Sequence, residues 1–183
     1  MAVIVISGQP GCGSSTTAKL LAKKLKLKHF SVGDYNKSQA GASAKETDKS
    51  IIVWKKKKIN GKGLQEFHED SDELARDYAK KGDIVIDGKL AVRMTKGLYD
   101  LGVWLKAPKA VRAERYARRD KISLKDAMKK LREKEALERK NWLRIYGFDY
   151  FMQEREAGLV INTWKKTPEE IAKAIIKRLK EQE

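Results

Sequence analysis

The stretch Gly8-Gln9-Pro10-Gly11-Cys12-Gly13-Ser14-Ser15-Thr16 decides the fold class of this 183-residue chain. It joins an apolar run at 2–7, typical of a buried strand, to an amphipathic helical pattern at 16–27. Glycines let the backbone turn tightly and bring several N–H groups onto one anion, and the following helix adds the positive end of its dipole. The stretch therefore predicts a phosphate-binding loop, with an ordinary glycine-rich turn as the alternative.

The residues around Gly13 bear on metal binding and charge. Ser15 occupies the position where such loops place a hydroxyl ligand for Mg²⁺, with Thr16 as an alternative. The usual pattern has lysine after its last glycine, whereas this chain has Ser14. Because that lysine neutralises phosphate oxygens during phosphoryl transfer, other cations have to replace it or the reaction is slow. Cys12 is interpreted as a small residue that the loop tolerates, although a helix N-terminus favours a thiolate.

Apolar runs alternate with helical patterns along the rest of the chain. Further strand candidates lie at 29–32, 83–87, 102–107 and 158–163, and helical patterns lie from about 34, at 64–80, at 112–119, at 123–146 and from 167 onwards. Near-continuous apolar runs are typical of parallel strands with helices on both faces. The sequence therefore predicts one three-layer α/β domain with a five-stranded parallel sheet. Residues 41–63 show weak periodicity, so the pattern alone assigns no helix or strand there.

Composition limits the class of protein. Hydrophobic residues make up 41% of the chain, enough for one core, and no apolar run approaches the roughly 20 residues that cross a bilayer. A single cysteine rules out an internal disulfide framework and suits a reducing cytoplasm, and two isolated histidines leave no plausible zinc site. We expect a cytoplasmic monomer without a membrane segment.

The formal net charge of +16 favours anionic partners such as nucleotides, RNA or an acidic surface. Part of this excess belongs to a solvated surface of lysines and glutamates. The four lysines at 55–58 are interpreted first as a solvated loop or helix face, because the run lacks aromatic interleaving beyond Trp54. An RNA contact through this basic surface is the alternative.

Six segments of the chain, in order, resemble the archaeal cytidylate kinases. They are the loop at 8–16, SVGD at 31–34, DGKLA at 87–91, VWLKAPKAVRAERYARRDKIS at 103–123, YGFD at 146–149 and LVINT at 159–163. That family also has a hydroxyl residue in place of the loop's lysine, so Ser14 agrees with it. The resemblance covers nearly the whole chain and is weakest between Lys37 and Gln65. It implies a P-loop kinase fold with a helical monophosphate-binding segment at 34–81 and a lid region at 112–146.

The resemblance implies an ATP site built from the loop and a strand end. All nine loop residues from Gly8 to Thr16 would hold the phosphates of ATP, and Ser15 would ligate Mg²⁺. Asp87, at the end of a predicted buried strand, would be a catalytic carboxylate that orients the ion through water. The alternative for Asp87 is a turn or helix-capping aspartate.

Arg112, Arg115, Arg118 and Arg119 resemble the first arm of a lid that closes over ATP. Spacings of three and four place Arg112, Arg115 and Arg119 on one helical face, from which they would converge on phosphates. The planar guanidinium suits this task because it grips two oxygens at once. Arg115 and Arg119, with Lys89, are the implied catalytic cations, and a solvated basic face is the alternative.

The resemblance implies a monophosphate site at Asp34, Lys37, Asp72 and Lys89. The family has arginine where this chain has Lys37 and Lys89, and Asn141 stands where a lid arginine is expected. A lysine pairs with phosphate as a point charge but loses the bidentate geometry of arginine. These departures leave the catalytic rate and the preference for cytosine open.

The activity implied by the resemblance is Mg²⁺-dependent transfer of phosphate from ATP to a pyrimidine nucleoside monophosphate, CMP or dCMP. Two alternatives stay open. One is a relative that binds nucleotide and RNA or a ribosomal particle and turns over poorly, and the other is a kinase for a different small acceptor. The net charge and the altered arginine positions motivate the first, and the altered positions alone motivate the second.

Overall fold

The computed structural model describes residues 2–41 and 46–182. Its elements, in chain order, are β1 Val3–Gly8, α1 Ser14–Leu25, β2 Lys28–Ser31, α2 Val32–Gln39, α3 Glu46–Lys55, β3 Lys58–Ile59, β4 Lys62–Gly63, α4 Leu64–Lys81, β5 Ile84–Asp87, α5 Ala91–Met94, β6 Leu101–Lys106, α6 Lys109–Asp120, α7 Leu124–Tyr146, a 3₁₀ helix Tyr150–Arg155, β7 Leu159–Asn162 and α8 Pro168–Lys180. Every strand and helix expected from the sequence is present, with ends displaced by a few residues at most.

The main sheet has five parallel strands in the order β2-β5-β1-β6-β7, which confirms the predicted fold class. Side chains that alternate along β1 enter two different cores. Ile4 and Ile6 pack with α1 and α8 on one face, and Val5 packs with α4 and α5 on the other. Because both faces are covered, the strands need apolar residues at nearly every position, which explains their continuous apolar runs.

The register of the sheet brings the ends of neighbouring strands together. Ile6 of β1 lies opposite Asp87 of β5, and Ser31 of β2 lies opposite the same residue on its other side. The loop that follows β1 therefore begins beside the end of β5. Open parallel sheets bind ligands outside the carboxyl ends of their strands, so this edge is where a site is expected.

Helix ends follow the signals in the sequence. Ser123 caps α7 by accepting a hydrogen bond from the Asp126 N–H, and Thr167 forms a capping box with Glu170 at the start of α8. Gly82 ends α4 with a φ of 72°, a conformation that glycine adopts without strain. These three predicted boundaries are confirmed.

The stretch of weak periodicity at 41–63 contains α3 and the antiparallel pair β3–β4, and its residues 42–45 lie outside the described part of the chain. Two of its four consecutive lysines contact the protein itself. Lys55 forms an ion pair with Glu133 of α7, and Lys56 donates to the Ala40 carbonyl. The RNA contact expected as an alternative stays a prediction.

The two segments that the sequence assigned to substrate binding are helical. The range 34–81 comprises most of α2 together with α3 and α4, and 112–146 comprises most of α6 and all of α7. Their roles as a monophosphate segment and a lid stay predictions, as do the monomeric state and the cytoplasmic location. Within 2–41 and 46–182, none of the helices combines the length and the apolar character that a membrane crossing requires.

Candidate active site

A cavity of about 790 Å³ opens at the carboxyl ends of the parallel strands. One end is lined by the loop after β1 and the first turn of α1, together with the segment that leads into α8. The other end is lined by α2, α3, α4 and α7, and the residues after β5 lie between the two ends. A volume of this size is typical of small-molecule sites.

The loop is shaped by glycines and by contacts beneath it. Gly11 and Gly13 have φ angles of 80° and 93°, which side chains rarely permit. A Cβ atom on Gly8 would lie 2.4 Å from the Leu105 carbonyl oxygen, so only glycine fits between β1 and β6 at this point. Gln9 is anchored below the loop, where its Oε1 atom accepts a hydrogen bond from the Ala107 N–H.

Six of the nine predicted phosphate-binding residues line the cavity, and they are Gly11, Cys12, Gly13, Ser14, Ser15 and Thr16. Gly8, Gln9 and Pro10 form the base of the loop and do not line it. Cys12 is 1% exposed, and burial raises the pKa of its thiol. A buried thiol with a raised pKa is poorly reactive, which is consistent with the interpretation of Cys12 as a small residue that the loop tolerates.

The expectation that Arg112 points toward phosphates is wrong. Arg112 is 3% exposed and lies beneath the loop, where it donates to the carbonyl oxygens of Pro10 (3.1 Å) and Ala107 (3.0 Å). Its guanidinium also pairs with Glu135 of α7 at 2.8 Å. Arg112 does share a helical face with Arg115 and Arg119, as the spacing indicates. Its own side chain, however, is buried between the loop and α7.

Arg115 lines the cavity and braces the loop at the same time. Its guanidinium donates to the carbonyl oxygens of Cys12 (3.2 Å) and Thr163 (2.8 Å) and to the Thr163 hydroxyl (2.8 Å). Arg118 and Arg119 also line the cavity. Arg119 pairs with Asp120 at 2.9 Å. Arg115 and Arg119, the two predicted catalytic arginines, line the same cavity.

Asp87 is the centre of a buried cluster at the end of β5. Its Oδ1 atom accepts hydrogen bonds from the hydroxyls of Ser15 (2.7 Å) and Ser31 (3.2 Å), and its Oδ2 atom lies 2.7 Å from Nε2 of His29. Asp87 itself is only 3% exposed. The sequence did not single out His29, although its position two residues before Ser31 in a strand places both on one face of the sheet.

The residues around Asp87 fit a magnesium ion. Hydroxyl and carboxylate oxygens are the ligands that Mg²⁺ prefers, and it is commonly held by one or two protein groups together with substrate phosphates. Ser15 donates its hydrogen to Asp87, which leaves the oxygen lone pairs of its hydroxyl available to a metal. Ser15 is thereby favoured over Thr16, which is exposed to solvent.

Two of the lysines predicted to bind the monophosphate, Lys37 and Lys89, line the cavity. Lys89 donates to the Gly8 carbonyl oxygen at 3.0 Å, directly beside the loop. Lys37 pairs with Asp34 at 2.7 Å, and Lys19 approaches the same carboxylate at 3.3 Å. Although partial burial raises it, the pKa of Asp34 lies below its usual value because both lysines bind the carboxylate. Lys37, Asp34 and Lys89, all predicted to bind the monophosphate, line one cavity.

The far end of the cavity holds what we call the aromatic pocket, formed by Asn36, Trp54, His68, Asp72 and Trp142. Its three rings pack against one another, with centroid distances of 4.5 Å for Trp54–His68, 4.4 Å for Trp54–Trp142 and 4.7 Å for His68–Trp142. Only Asp72 was expected from the sequence. The other four come from α2, α3, α4 and α7, and no sequence spacing links them.

Two titratable groups of the aromatic pocket have strongly shifted pKa values. Burial raises the pKa of Asp72 to about 7, even though the Tyr146 hydroxyl donates a hydrogen bond to its carboxylate. Burial lowers the pKa of His68 to about 3, so its imidazole is neutral. Asn36 Nδ2 lies 3.3 Å from His68 Nδ1.

Three polar atoms of the aromatic pocket are buried without a hydrogen-bond partner in the described part of the chain. They are Oδ1 of Asn36, Nε2 of His68 and Nε1 of Trp142. An unsatisfied buried polar atom costs about 1–3 kcal/mol, and such atoms in a folded protein are frequently functional. Their concentration at one end of a cavity indicates a place for a polar, planar ligand.

Asn141, which replaces an expected lid arginine, does not line the cavity. Its side chain donates to the Leu137 carbonyl of its own helix at 2.9 Å. Lys134, two turns earlier on α7, does line the cavity. The positive charge contributed by α7 therefore lies at a different position from the one expected.

Comparison with known proteins gives a consistent result. Residues 3–165 match the model of the cytidylate kinase-like family. Cytidylate kinase of Pyrococcus horikoshii is 38% identical over 179 residues, which cover 96% of this chain and 86% of that protein. Cytidylate kinase of Methanocaldococcus jannaschii is 37% identical over 150 residues, which cover 80% of each. In fold, shikimate kinase from Aquifex aeolicus superposes with a TM-score of 0.59 at 21% identity, covering 97% of this chain and 96% of that one.

Proposed function

This chain belongs to the cytidylate kinase-like family, and on that premise we propose that it transfers the γ-phosphoryl group of ATP to a pyrimidine nucleoside monophosphate, CMP or dCMP. One observation carries the proposal. A single cavity joins a phosphate-binding loop, a central group of lysines and an aromatic pocket with unpaired polar atoms. These three parts match the donor phosphates, the acceptor phosphate and the acceptor base in the order that phosphoryl transfer requires.

In this proposal the loop holds the donor phosphates. The backbone N–H groups of Gly11, Gly13, Ser14 and Ser15 and the N-terminus of α1 would supply fixed positive dipoles, whereas the Cys12 N–H donates to the Gln9 carbonyl within the loop. Ser15 and Asp87 would hold Mg²⁺, which when bound supplies charge to the β- and γ-phosphate oxygens. The residues Arg115 and Thr163 keep the loop in shape through their hydrogen bonds to its carbonyl oxygens and to each other.

Lys89 is our candidate for the missing loop lysine. Ser14 contributes no charge, but the ammonium of Lys89 lies 3.0 Å from the Gly8 carbonyl at the start of the loop. From there it would neutralise charge that develops on the transferred group, between the donor and the acceptor. Lys37 would hold the acceptor phosphate, with Asp34 fixing its ammonium through the 2.7 Å contact. Arg119 would add charge from the lid side of the cavity.

The aromatic pocket is our candidate for the acceptor base. A pyrimidine offers one face to aromatic rings and several donors and acceptors at its edge, and this pocket supplies rings together with unpaired polar atoms. Asp72 in its ionised form accepts a hydrogen bond from the exocyclic amine of cytosine. Neutral His68 and Asn36 supply a further donor and acceptor without a charge that would have to be desolvated.

The experiment that tests this function is a coupled assay of ADP release with ATP, Mg²⁺ and each of CMP, dCMP, UMP, AMP and GMP. We expect turnover of about 1–100 per second with CMP or dCMP, the usual range of kinases, and far less with the purine monophosphates. Equal turnover with AMP or GMP would contradict the assignment of the pocket to a pyrimidine. An absence of turnover with all five, while ATP still binds, would favour a different acceptor or a binding role.

A further inference from the structure

His29 fixes one oxygen of the Asp87 carboxylate, while two hydroxyls fix the other. Nε2 of His29 lies 2.7 Å from Oδ2, and the hydroxyls of Ser15 and Ser31 donate to Oδ1 at 2.7 and 3.2 Å. Each carboxylate oxygen therefore has its own hydrogen-bond donor. This arrangement defines the rotation of the carboxylate plane as well as its position.

Strand pairing builds the contact into the fold. β2 runs parallel to β5 with Ser31 opposite Asp87 and His29 opposite Val85. Side chains two residues apart in a strand point to the same face, so His29 and Ser31 both face the side on which α1 covers the sheet. The imidazole is 20% exposed and the Asp87 side chain 4% exposed, which places the carboxylate behind the ring.

The hydroxyls alone would not orient the carboxylate. The terminal torsion of aspartate is broad, so Oδ2 would be free to move if only Oδ1 were held. An ionised carboxylate accepts hydrogen bonds and donates none, so Nε2 carries the hydrogen whether the imidazole is neutral or protonated. The contact is therefore independent of the charge of the ring.

In the described part of the chain, no lysine or arginine nitrogen forms an ion pair with Asp87, and His29 is its one ion-pair candidate. A permanent cation at this distance would compete with a bound metal ion for the negative charge. An imidazole can orient the carboxylate and still leave that charge available. Groups that orient metal-binding residues in this way change metal affinity or activity by about 10–100-fold when they are removed.

We propose that His29 is a positioning residue, which holds Asp87 in the orientation that receives the magnesium ion of the ATP complex. The inference rests on the proposed function, because that function supplies the metal nucleotide. It predicts that loss of the Nε2–H donor weakens the dependence of ATP binding on Mg²⁺ and leaves metal-free nucleotide binding intact. His29 itself does not line the cavity.

The test uses His29→Phe, which keeps a planar ring and removes the donor, and His29→Gln, which keeps an N–H donor at similar reach. ATP affinity is measured by calorimetry in EDTA and at increasing Mg²⁺, without any acceptor. We expect His29→Phe to raise the Mg²⁺ concentration for half-maximal effect about 10–100-fold, with ATP affinity in EDTA unchanged, and His29→Gln to recover most of the loss. Lys28→Ala, an exposed change in the same strand, is the matched control.

The proposal would be overturned if the wild type and His29→Phe needed the same Mg²⁺ concentration for half-maximal effect. It would also be overturned if His29→Gln needed as much Mg²⁺ as His29→Phe.

If His29→Phe fails to fold, imidazole ¹⁵N NMR of the wild type tests the hydrogen bond between His29 and Asp87 directly. The chain has two histidines, so the signals are readily assigned. We expect a slowly exchanging Nε2–H for His29 that disappears in Asp87→Ala, and a freely exchanging one contradicts the contact. A wild type that binds no ATP refutes the proposed function, and this measurement still tests the contact.

Discussion

The two ends of the cavity are built in opposite ways. The phosphate-binding end is made by one continuous loop at 8–16, of which the residues from Gly11 to Thr16 line the cavity. The aromatic pocket is made by side chains from four helices, at positions from Asn36 to Trp142. Backbone groups serve any nucleoside triphosphate, since all carry the same phosphates, whereas side chains can change with the acceptor. Under the proposed function, the loop therefore holds the donor phosphates and the side chains of the four helices determine which acceptor binds.

The largest effect is expected at the loop. Gly13→Val should abolish ATP binding, and with it all turnover, because the side chain would enter the space that the phosphates need. A Cβ atom on Gly13 would meet no protein atom within 4 Å, so the space it fills belongs to the cavity. The measurement is ATP affinity by calorimetry, together with a thermal unfolding curve.

Gly97→Val is the matched control for that change. Gly97 has a φ of 82° and no protein atom within 4 Å of an added Cβ, but it does not line the cavity. Both variants therefore carry similar backbone strain, of about 1–3 kcal/mol, and only Gly13→Val should lose ATP. Retained ATP affinity in folded Gly13→Val would mean that the donor binds elsewhere.

The next largest effect is expected at Lys89, and it tests whether the centre of the cavity has a role different from those of its two ends. Lys89→Met keeps the aliphatic stem and removes the charge, so we expect kcat to fall about 10²–10³-fold with small changes in substrate affinity. Steady-state kinetics with both substrates varied measures kcat and the KM for each substrate. Lys89→Arg, which keeps a cation at this position, should retain activity. Lys96→Met, at an exposed position outside the cavity, serves as the control.

A fall in affinity for ATP alone in Lys89→Met would place the lysine in the donor site and remove it from the transfer step. Unchanged kinetics in Lys89→Met would show that Lys89 does not replace the charge of the missing loop lysine. Either result would break the division of the cavity into a donor end, a central group of cations and an acceptor end.

The same contrast explains which parts of the fold and of the site could be predicted from the sequence. The sheet and the loop were predictable because each depends on neighbours in sequence, namely apolar runs and a glycine pattern between a strand and a helix. α3 was not, since its buried residues Val53 and Trp54 pack in two different clusters and leave no single apolar stripe. The rotation of α6, which buries Arg112, depends on Glu135 of a later helix.

The aromatic pocket could not be predicted for a related reason. Its residues are of types that are common on helices, where an aromatic residue is usually interpreted as part of the core. They are Asn36, Trp54, His68 and Trp142. Their shared property, polar atoms left without partners, exists only after the helices have packed. Asp72 was predicted from the resemblance to a known family, and not from any chemical signal in the sequence around it.

A change in the aromatic pocket should act on the acceptor and spare the donor. His68→Leu removes one of the buried unpaired polar atoms, so we expect the KM for CMP to rise about 10–100-fold, equivalent to about 1–3 kcal/mol, while the KM for ATP stays the same. Initial rates with one substrate saturating measure each value. Phe67→Leu, a buried change that does not line the cavity, controls for general damage to packing.

An equal rise in both KM values for His68→Leu would show that the two ends are coupled. A rise of similar size in Phe67→Leu would show that packing of α4, and not recognition of the base, determines the affinity. Because Trp54 and Trp142 touch His68, quenching of tryptophan fluorescence on addition of CMP gives an independent measure of binding.

The smallest effect is a dependence on pH at the acceptor end. The pKa of Asp72 is raised from 3.8 to about 7 by burial, whereas that of His68 is lowered to about 3, so of these two groups Asp72 is the one that changes charge near neutrality. Tyr146, Arg76 and Glu69 are the other groups that act on its carboxyl. Between about pH 6 and pH 8 the ionised fraction of a group with such a pKa rises about tenfold.

If the ionised carboxylate accepts the amine of cytosine, the affinity for CMP should rise by up to about tenfold over this range. Stability should move in the opposite direction. A carboxyl group whose pKa is raised on folding stabilises the protein below its unfolded pKa, and that contribution is lost as pH rises through about 7. Calorimetric titration with CMP and thermal unfolding, both followed across this range, measure the two trends. Asp72→Asn should flatten both, and a CMP affinity that falls with pH in the wild type would exclude the carboxylate as the acceptor of the amine.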